Sequence, residues 1–97
     1  LLLAACGQEQ KPPPAAGGDP ALGQQIYLGQ CTACHAADPA ADGALGPAVK
    51  GASKQLLEAR LLHGTYPPGY TPKRETRVMQ PMPSLSDNID DLAAYLR

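Results

Sequence analysis

The sequence predicts an all-α fold, and three observations carry that prediction. The last segment repeats apolar residues at helical period, with Ile89, Leu92, Ala93 and Leu96 at i, i+3, i+4 and i+7. Residues that start helices, Asp19, Ser53 and Ser86, stand ahead of three separate apolar stretches. No stretch alternates apolar and polar residues as a half-buried strand does.

Residues 1–6, Leu1-Leu2-Leu3-Ala4-Ala5-Cys6, form an apolar run that closes on small residues and a Cys. They are expected to be the tail of a secretory signal whose basic start is missing. The run is far too short to span a bilayer. Leu3-Ala4-Ala5-Cys6 resembles the bacterial lipobox, which implies lipidation of Cys6 as the first mature residue. A plain signal peptide with an incidental Cys is the alternative. Residues 7–18 read as a tether, with Pro12-Pro13-Pro14 and Gly17-Gly18 among Ala and Gln. Such a segment cannot bury enough surface to fold, and as a coil it would reach roughly 20 Å. Residues 19–97 are the expected folded domain.

Asp19-Pro20 opens the first helix, because Asp accepts from free backbone amides and Pro suits the first helical position. This helix is expected over about 20–29. Gly23 and Tyr27 fall four apart on one of its faces, beside Leu22 and Ile26. Gly inside a helix costs stability, so Gly23 predicts a close helix–helix approach. A loop rich in Ala, Asp, Gly and Pro follows, over about 36–51. Ser53 caps a second helix running to about His63, with Leu57 and Leu61 four apart. Gly64 ends it, and Pro67-Pro68-Gly69 marks a turn. An irregular stretch runs to Pro83. Ser86 is the expected cap of the last helix, with Asp87, Asp90 and Asp91 placing negative charge on its positive end.

This domain is short, has neither Phe nor Trp, and holds four Tyr. Below about 80 residues an apolar core alone is usually marginal and a staple is expected. The net charge of −1 offers nothing to a nucleic-acid partner.

The candidate staple is Cys31-Thr32-Ala33-Cys34-His35. Two thiols three apart, followed at once by an imidazole, have the spacing of a c-type haem attachment site. Each thiol can add across one haem vinyl group to form a thioether. His35 then lies under the ring, where its imidazole can ligate iron. A thiol–disulfide redox pair would be expected beside a βαβ pattern, which is not visible. Zinc would need further ligands, and only Cys6 and His63 remain. One covalent haem c is therefore the expected cofactor.

Together these residues resemble the class I c-type cytochromes over about 19–97. The matching places are Cys31–His35 after a short helix, the loop Gly46-Pro47-Ala48-Val49-Lys50-Gly51, a Met-bearing loop, and a last helix with Leu85-Ser86-Asp87 at its entry and Leu92-Ala93-Ala94-Tyr95 in its body. The resemblance implies a fold of three to four helices wrapped around one haem. In it the first and last helices cross at right angles, Gly23 and Tyr27 meeting Leu92 and Tyr95. It implies that the Pro47 carbonyl, twelve residues past His35, accepts the proximal Nδ1–H. It also implies a propionate contact for Arg74, from the basic cluster Lys73, Arg74 and Arg77, where a solvated loop is the plainer reading. Tyr66 and Tyr70 are weaker donors to the same group. Arg77-Val78-Met79-Gln80-Pro81-Met82 resembles the periplasmic dihaem members and their single-haem relatives. This chain has one attachment motif.

Met79 and Met82 compete for the sixth iron position. Met79 lies six residues before Leu85 and Met82 three, and in relatives with a Met-x-x-Met pattern the first Met binds. Met79 is thus the expected ligand, with Met82 a soft apolar filler against the porphyrin. His63 is the third candidate. An iron with both axial positions filled suits electron transfer and has no open site for substrate. The expected function is a monohaem electron carrier rather than an enzyme. Its expected partners are redox proteins or respiratory complexes on the periplasmic side of a bacterial membrane. A haem enzyme or gas-binding module with a labile distal ligand is one alternative. A fixed electron-relay subunit of a respiratory complex is another. A monomer is expected, lipid-anchored through Cys6. Gly7 stands where an inner-membrane retention signal would carry Asp, which favours the outer membrane.

Overall fold

Asp19 sets where the first helix begins. Its carboxylate accepts from the backbone N–H of Ala21 and Leu22 at 3.0 and 3.4 Å, and Pro20 fills the first turn, where no N–H is needed. The computed structural model describes residues 17–74 and 76–97, so the lipobox-like run and the tether up to residue 16 lie outside the described residues. Among the described residues there are three α-helices: α1 (Pro20–Gln30), α2 (Lys54–Glu58) and α3 (Ile89–Leu96). A π-helical turn, Ala59–His63, extends α2, and a 3-10 turn, Pro83–Asn88, leads into α3. No strand occurs among the described residues. None of the described helices is long and apolar enough to cross a membrane.

The second helix departs from expectation in its last turn. Ser53 caps it as predicted, its Oγ accepting from Leu56 N–H at 3.0 Å. From Ala59 the turn widens to π, and Gly64 closes it with φ 68°, its N–H reaching back to the Ala59 carbonyl. The Leu61 carbonyl instead accepts from Met82 N–H at 2.7 Å. The widened turn therefore ties the end of this helix to the Met-bearing segment.

The start of the last helix also differs. Ser86 sits inside the 3-10 turn and caps nothing. Asn88 occupies the cap position of α3 but makes no capping bond. The Asp91 carboxylate in this first turn is buried and engaged. It accepts from Asp19 N–H at 2.8 Å and from Asn88 Nδ2 at 3.0 Å. A buried carboxylate needs such partners to offset lost hydration. Asp91 thus joins the first turn of α3 to the first turn of α1, and Asp90 stays exposed on the positive helix end.

The helix pair meets through Gly23 as expected. A methyl group there would lie 2.0 Å from the Asp91 carbonyl oxygen and 3.0 Å from Tyr95 Cβ. The rings of Tyr27 and Tyr95 are 5.7 Å apart and tilted by 48°, within the favourable range for aromatic pairs. Tyr27, Leu61, Leu85, Ile89, Leu92 and Leu96 form the buried core, and the predicted α3 stripe supplies three of them. That core is small, and the space beside it is the site.

Candidate haem site

Helix α1 ends directly in the pentapeptide Cys31-Thr32-Ala33-Cys34-His35. Cys31 N–H completes the last helical turn on the Tyr27 carbonyl at 2.9 Å. Cys34 N–H and His35 N–H both donate to the Cys31 carbonyl, at 3.3 and 3.0 Å, which coils the pentapeptide. Thr32 Oγ1 ties it back to the Leu28 carbonyl at 2.9 Å. Cys31 and Cys34 are half-buried and are not disulfide-bonded to each other. Burial pushes the Cys31 thiol up from its ordinary value. Tyr27 donates its phenol proton to the Ala36 carbonyl, just past the motif. Burial, then the neighbouring Cys31, Tyr95 and Asp38, raise this phenol, so it remains a donor.

His35 is oriented as predicted. Its Nδ1 lies 2.8 Å from the Pro47 carbonyl oxygen. A carbonyl can only accept, so Nδ1 carries the proton, and in the neutral ring Nε2 holds the lone pair. Gly46 packs flat against the ring, and a methyl group there would stand 2.4 Å from His35 Cε1. The N–H groups of Leu45 and Gly46 reach the Cys34 carbonyl at 3.2 and 2.9 Å. The loop and the motif are therefore folded onto one another.

Beside them opens a mostly apolar cavity of about 560 Å³. Cys31, Cys34 and His35 line it together with the core residues Tyr27, Leu61, Leu92 and Leu96. Met79 and Met82 line it as well, both half-buried and packed on the core. The backbone of Met82 is held at both ends, by Leu61 and by Leu85 N–H at 3.0 Å. Arg74 lines the cavity, where Nη2 donates to the Gly43 carbonyl at 3.2 Å. Lys73 lines it too and donates to the Ala48 carbonyl at 2.9 Å. Arg77 and His63 are exposed and fall outside the lining.

Arg60 is a lining residue that sequence reasoning missed. It is half-buried, caps the π turn through the Gly64 and Thr65 carbonyls at 3.1 and 3.3 Å, and sits 4.2 Å from the centroid of the Tyr66 ring. Tyr66 in turn stacks on Tyr70 at 5.5 Å. Its position three and four residues past Leu57 and Leu56 put it on their helix face, a signal that could have found it.

The donor set fits haem. Two thiols and one imidazole with a free nitrogen border one apolar space with two thioethers, and the imidazole's other nitrogen is fixed by a carbonyl. It does not fit zinc, since no group of three or more His, Cys, Asp or Glu side chains converges among the described residues. The family model described as Cytochrome c matches residues 20–97. No curated protein and no solved structure gave a match. Members of that family carry a covalently attached haem c, which is the group this cavity suits. On the match over nearly the whole described chain, the protein belongs to the Cytochrome c family.

Proposed function

We propose that this chain is a monohaem electron carrier whose iron is held between His35 and Met79. The observation that carries the reading is the His35 Nδ1 bond to Pro47, which leaves Nε2 to a metal in a cavity also bordered by Cys31, Cys34 and two Met side chains. Bound there, haem would supply a one-electron ferric/ferrous couple. Cys31 and Cys34 would hold the group by thioether bonds, and His35 and Met79 would supply a nitrogen and a sulfur to its iron. Met82, its backbone held by Leu61 and Leu85, packs as an apolar filler. Arg74 uses one N–H on Gly43, and a guanidinium carries further donors that could meet a propionate. With His35 and Met79 holding the iron, the site would leave no position for substrate, which suits electron transfer.

Redox proteins or respiratory complexes are the partners of this reading. Leu45 and Val78, about half exposed on the cavity wall beside Lys73, offer an apolar contact with a basic neighbour. That composition suits brief, steered encounters. The Leu3-Ala4-Ala5-Cys6 segment supports a lipid on Cys6 and a place on the periplasmic side of a bacterial membrane.

The test is a reduced-minus-oxidised spectrum with carbon monoxide, followed by the near-infrared thioether–iron band in Met79→Ala and Met82→Ala. A ferrous form that leaves carbon monoxide unbound, and a band lost only in Met79→Ala, are expected. Rapid carbon monoxide binding would instead point to the haem enzyme or gas-binding alternative. A band retained in Met79→Ala would move the ligand to Met82.

A further inference from the structure

We propose that Lys73 and Arg74 are positioning residues, a two-bond clasp that closes one cavity wall on the other and steadies the carbonyl that orients His35. The proposal rests on the haem reading above. Pro47, whose carbonyl accepts from His35, lies in a loop outside any helix. On the motif side, the loop is fastened by Leu45 and Gly46 N–H to the Cys34 carbonyl. On the far side it is fastened by two side chains from one dipeptide. Lys73 Nζ donates to the Ala48 carbonyl at 2.9 Å, and Arg74 Nη2 donates to the Gly43 carbonyl at 3.2 Å.

These two acceptors bracket Pro47. Ala48 follows it directly, and Gly43 closes the loop from the other end with its N–H on the Gly46 carbonyl at 2.8 Å. Both donors are cations, so both bonds are charge-assisted, the part-buried one of Arg74 less screened by water than the exposed one of Lys73. The same dipeptide runs on to Met79, five residues past Arg74. The clasp therefore binds the wall holding the proximal acceptor to the wall carrying the two thioethers. A second-layer partner of a metal-bound His fixes the ring and its protonated nitrogen. A partner that is itself held does so more completely. The bond of Arg74 to Gly43 uses one of five N–H groups, so the clasp and a carboxylate contact coexist.

The experiment uses the matured protein with its haem, in the ferrous state. Exchange of the His35 Nδ1 proton with deuterium is followed by NMR beside the amides of Tyr27 and Leu92 in the helix pair. In Lys73→Met, exchange at His35 is expected to quicken about ten-fold while both core amides keep their rates. Lys73→Arg restores the slow rate. Unchanged exchange at His35 in Lys73→Met overturns the clasp, and so does quickening that the core amides share equally. Failure of the haem reading is separate and shows first, as wild-type protein without covalent tetrapyrrole mass or Soret absorption.

Discussion

The pairing of α1 with α3 and the two loop walls of the cavity are held by different physics. The helix pair meets through backbone contact at Gly23, the buried Tyr27 against the half-buried Tyr95, and a buried carboxylate that takes an N–H from the opposite helix start. Its partners are fully present in the chain. Among the described residues, the walls, over 36–52 and 64–82, contain little regular structure and supply none of the six buried core residues. They hold by carbonyls taking bonds from His35, Lys73 and Arg74, around a cavity that the side chains leave open. One region is a packed interior, and the other is a frame cut to a guest.

Removing both attachment thiols should separate the two most. On the proposed attachment through Cys31 and Cys34, Cys31→Ala/Cys34→Ala is expected to lose covalent haem, and with it the surface the walls would face. Hydrogen exchange in the walls is expected to approach unprotected rates, while α1 and α3 keep measurable protection. Equal collapse of both regions would erase the distinction.

Two glycine substitutions sharpen it further. Gly23→Ala places a methyl group 2.0 Å from the Asp91 carbonyl oxygen, a backbone atom that cannot swing aside. The expected cost is about 3 kcal/mol in denaturant unfolding, with the iron spectrum of the folded protein unchanged. Gly46→Ala places its methyl group 2.4 Å from His35 Cε1. Here the ring must move, so the spectrum and the reduction potential should change ahead of stability. Swapped outcomes would mean that the site and the helix pair are one packing unit.

The helix pair was the more legible region because its rules are local. Gly23 and Tyr27 at a spacing of four, and the stripe at Ile89, Leu92 and Leu96, report faces that period alone defines. The proximal side was legible for another reason, since chemistry fixes the spacing of Cys31, Cys34 and His35. Its Pro47 partner came through resemblance. What escaped notice depends on partners distant in the chain. Asp91 was expected as a dipole charge and is a buried acceptor, because Asp19, 72 residues away, brings an N–H to it. Ser86 had every local mark of a cap and lost to a 3-10 turn. Nothing local marks the π turn at Ala59–His63, which is matched to the Met82 N–H. Lys73 and Arg74 read equally well as solvated charge until their carbonyl partners are seen.

Tyr27 belongs to both regions, so its hydroxyl measures how tightly they are coupled. The ring lies in the helix pair and the phenol reaches the Ala36 carbonyl in the wall. Tyr27→Phe keeps the ring and is expected to cost about 1 kcal/mol, with some of the cost from an unpaired carbonyl. Burial raises the phenol above its ordinary 10.0. The folded state therefore holds this proton more tightly than the unfolded chain. That contribution is whole below about pH 10 and is lost as pH climbs through the raised value. Wild-type protein should thus lose stability in strong base more steeply than Tyr27→Phe, and parallel alkaline profiles would disprove the role of burial.

The smallest effect is expected at Lys54, whose Nζ lies 3.0 Å from Asp90 Oδ1 in the one ion pair among the described residues. The hydrogen bond to Asp90, and then its charge, raise the amine above 10.5. By linkage the pair favours folding at neutral pH and stops doing so once the amine deprotonates in strong base. Both side chains are more than half exposed, however, so water and salt screen the attraction while two mobile chains give up freedom to form it. Lys54→Ala should leave the unfolding midpoint unchanged within error at physiological salt. It touches neither the packed helix pair nor the cavity frame. A loss as large as that of Tyr27→Phe would show that a third kind of contact holds this molecule together.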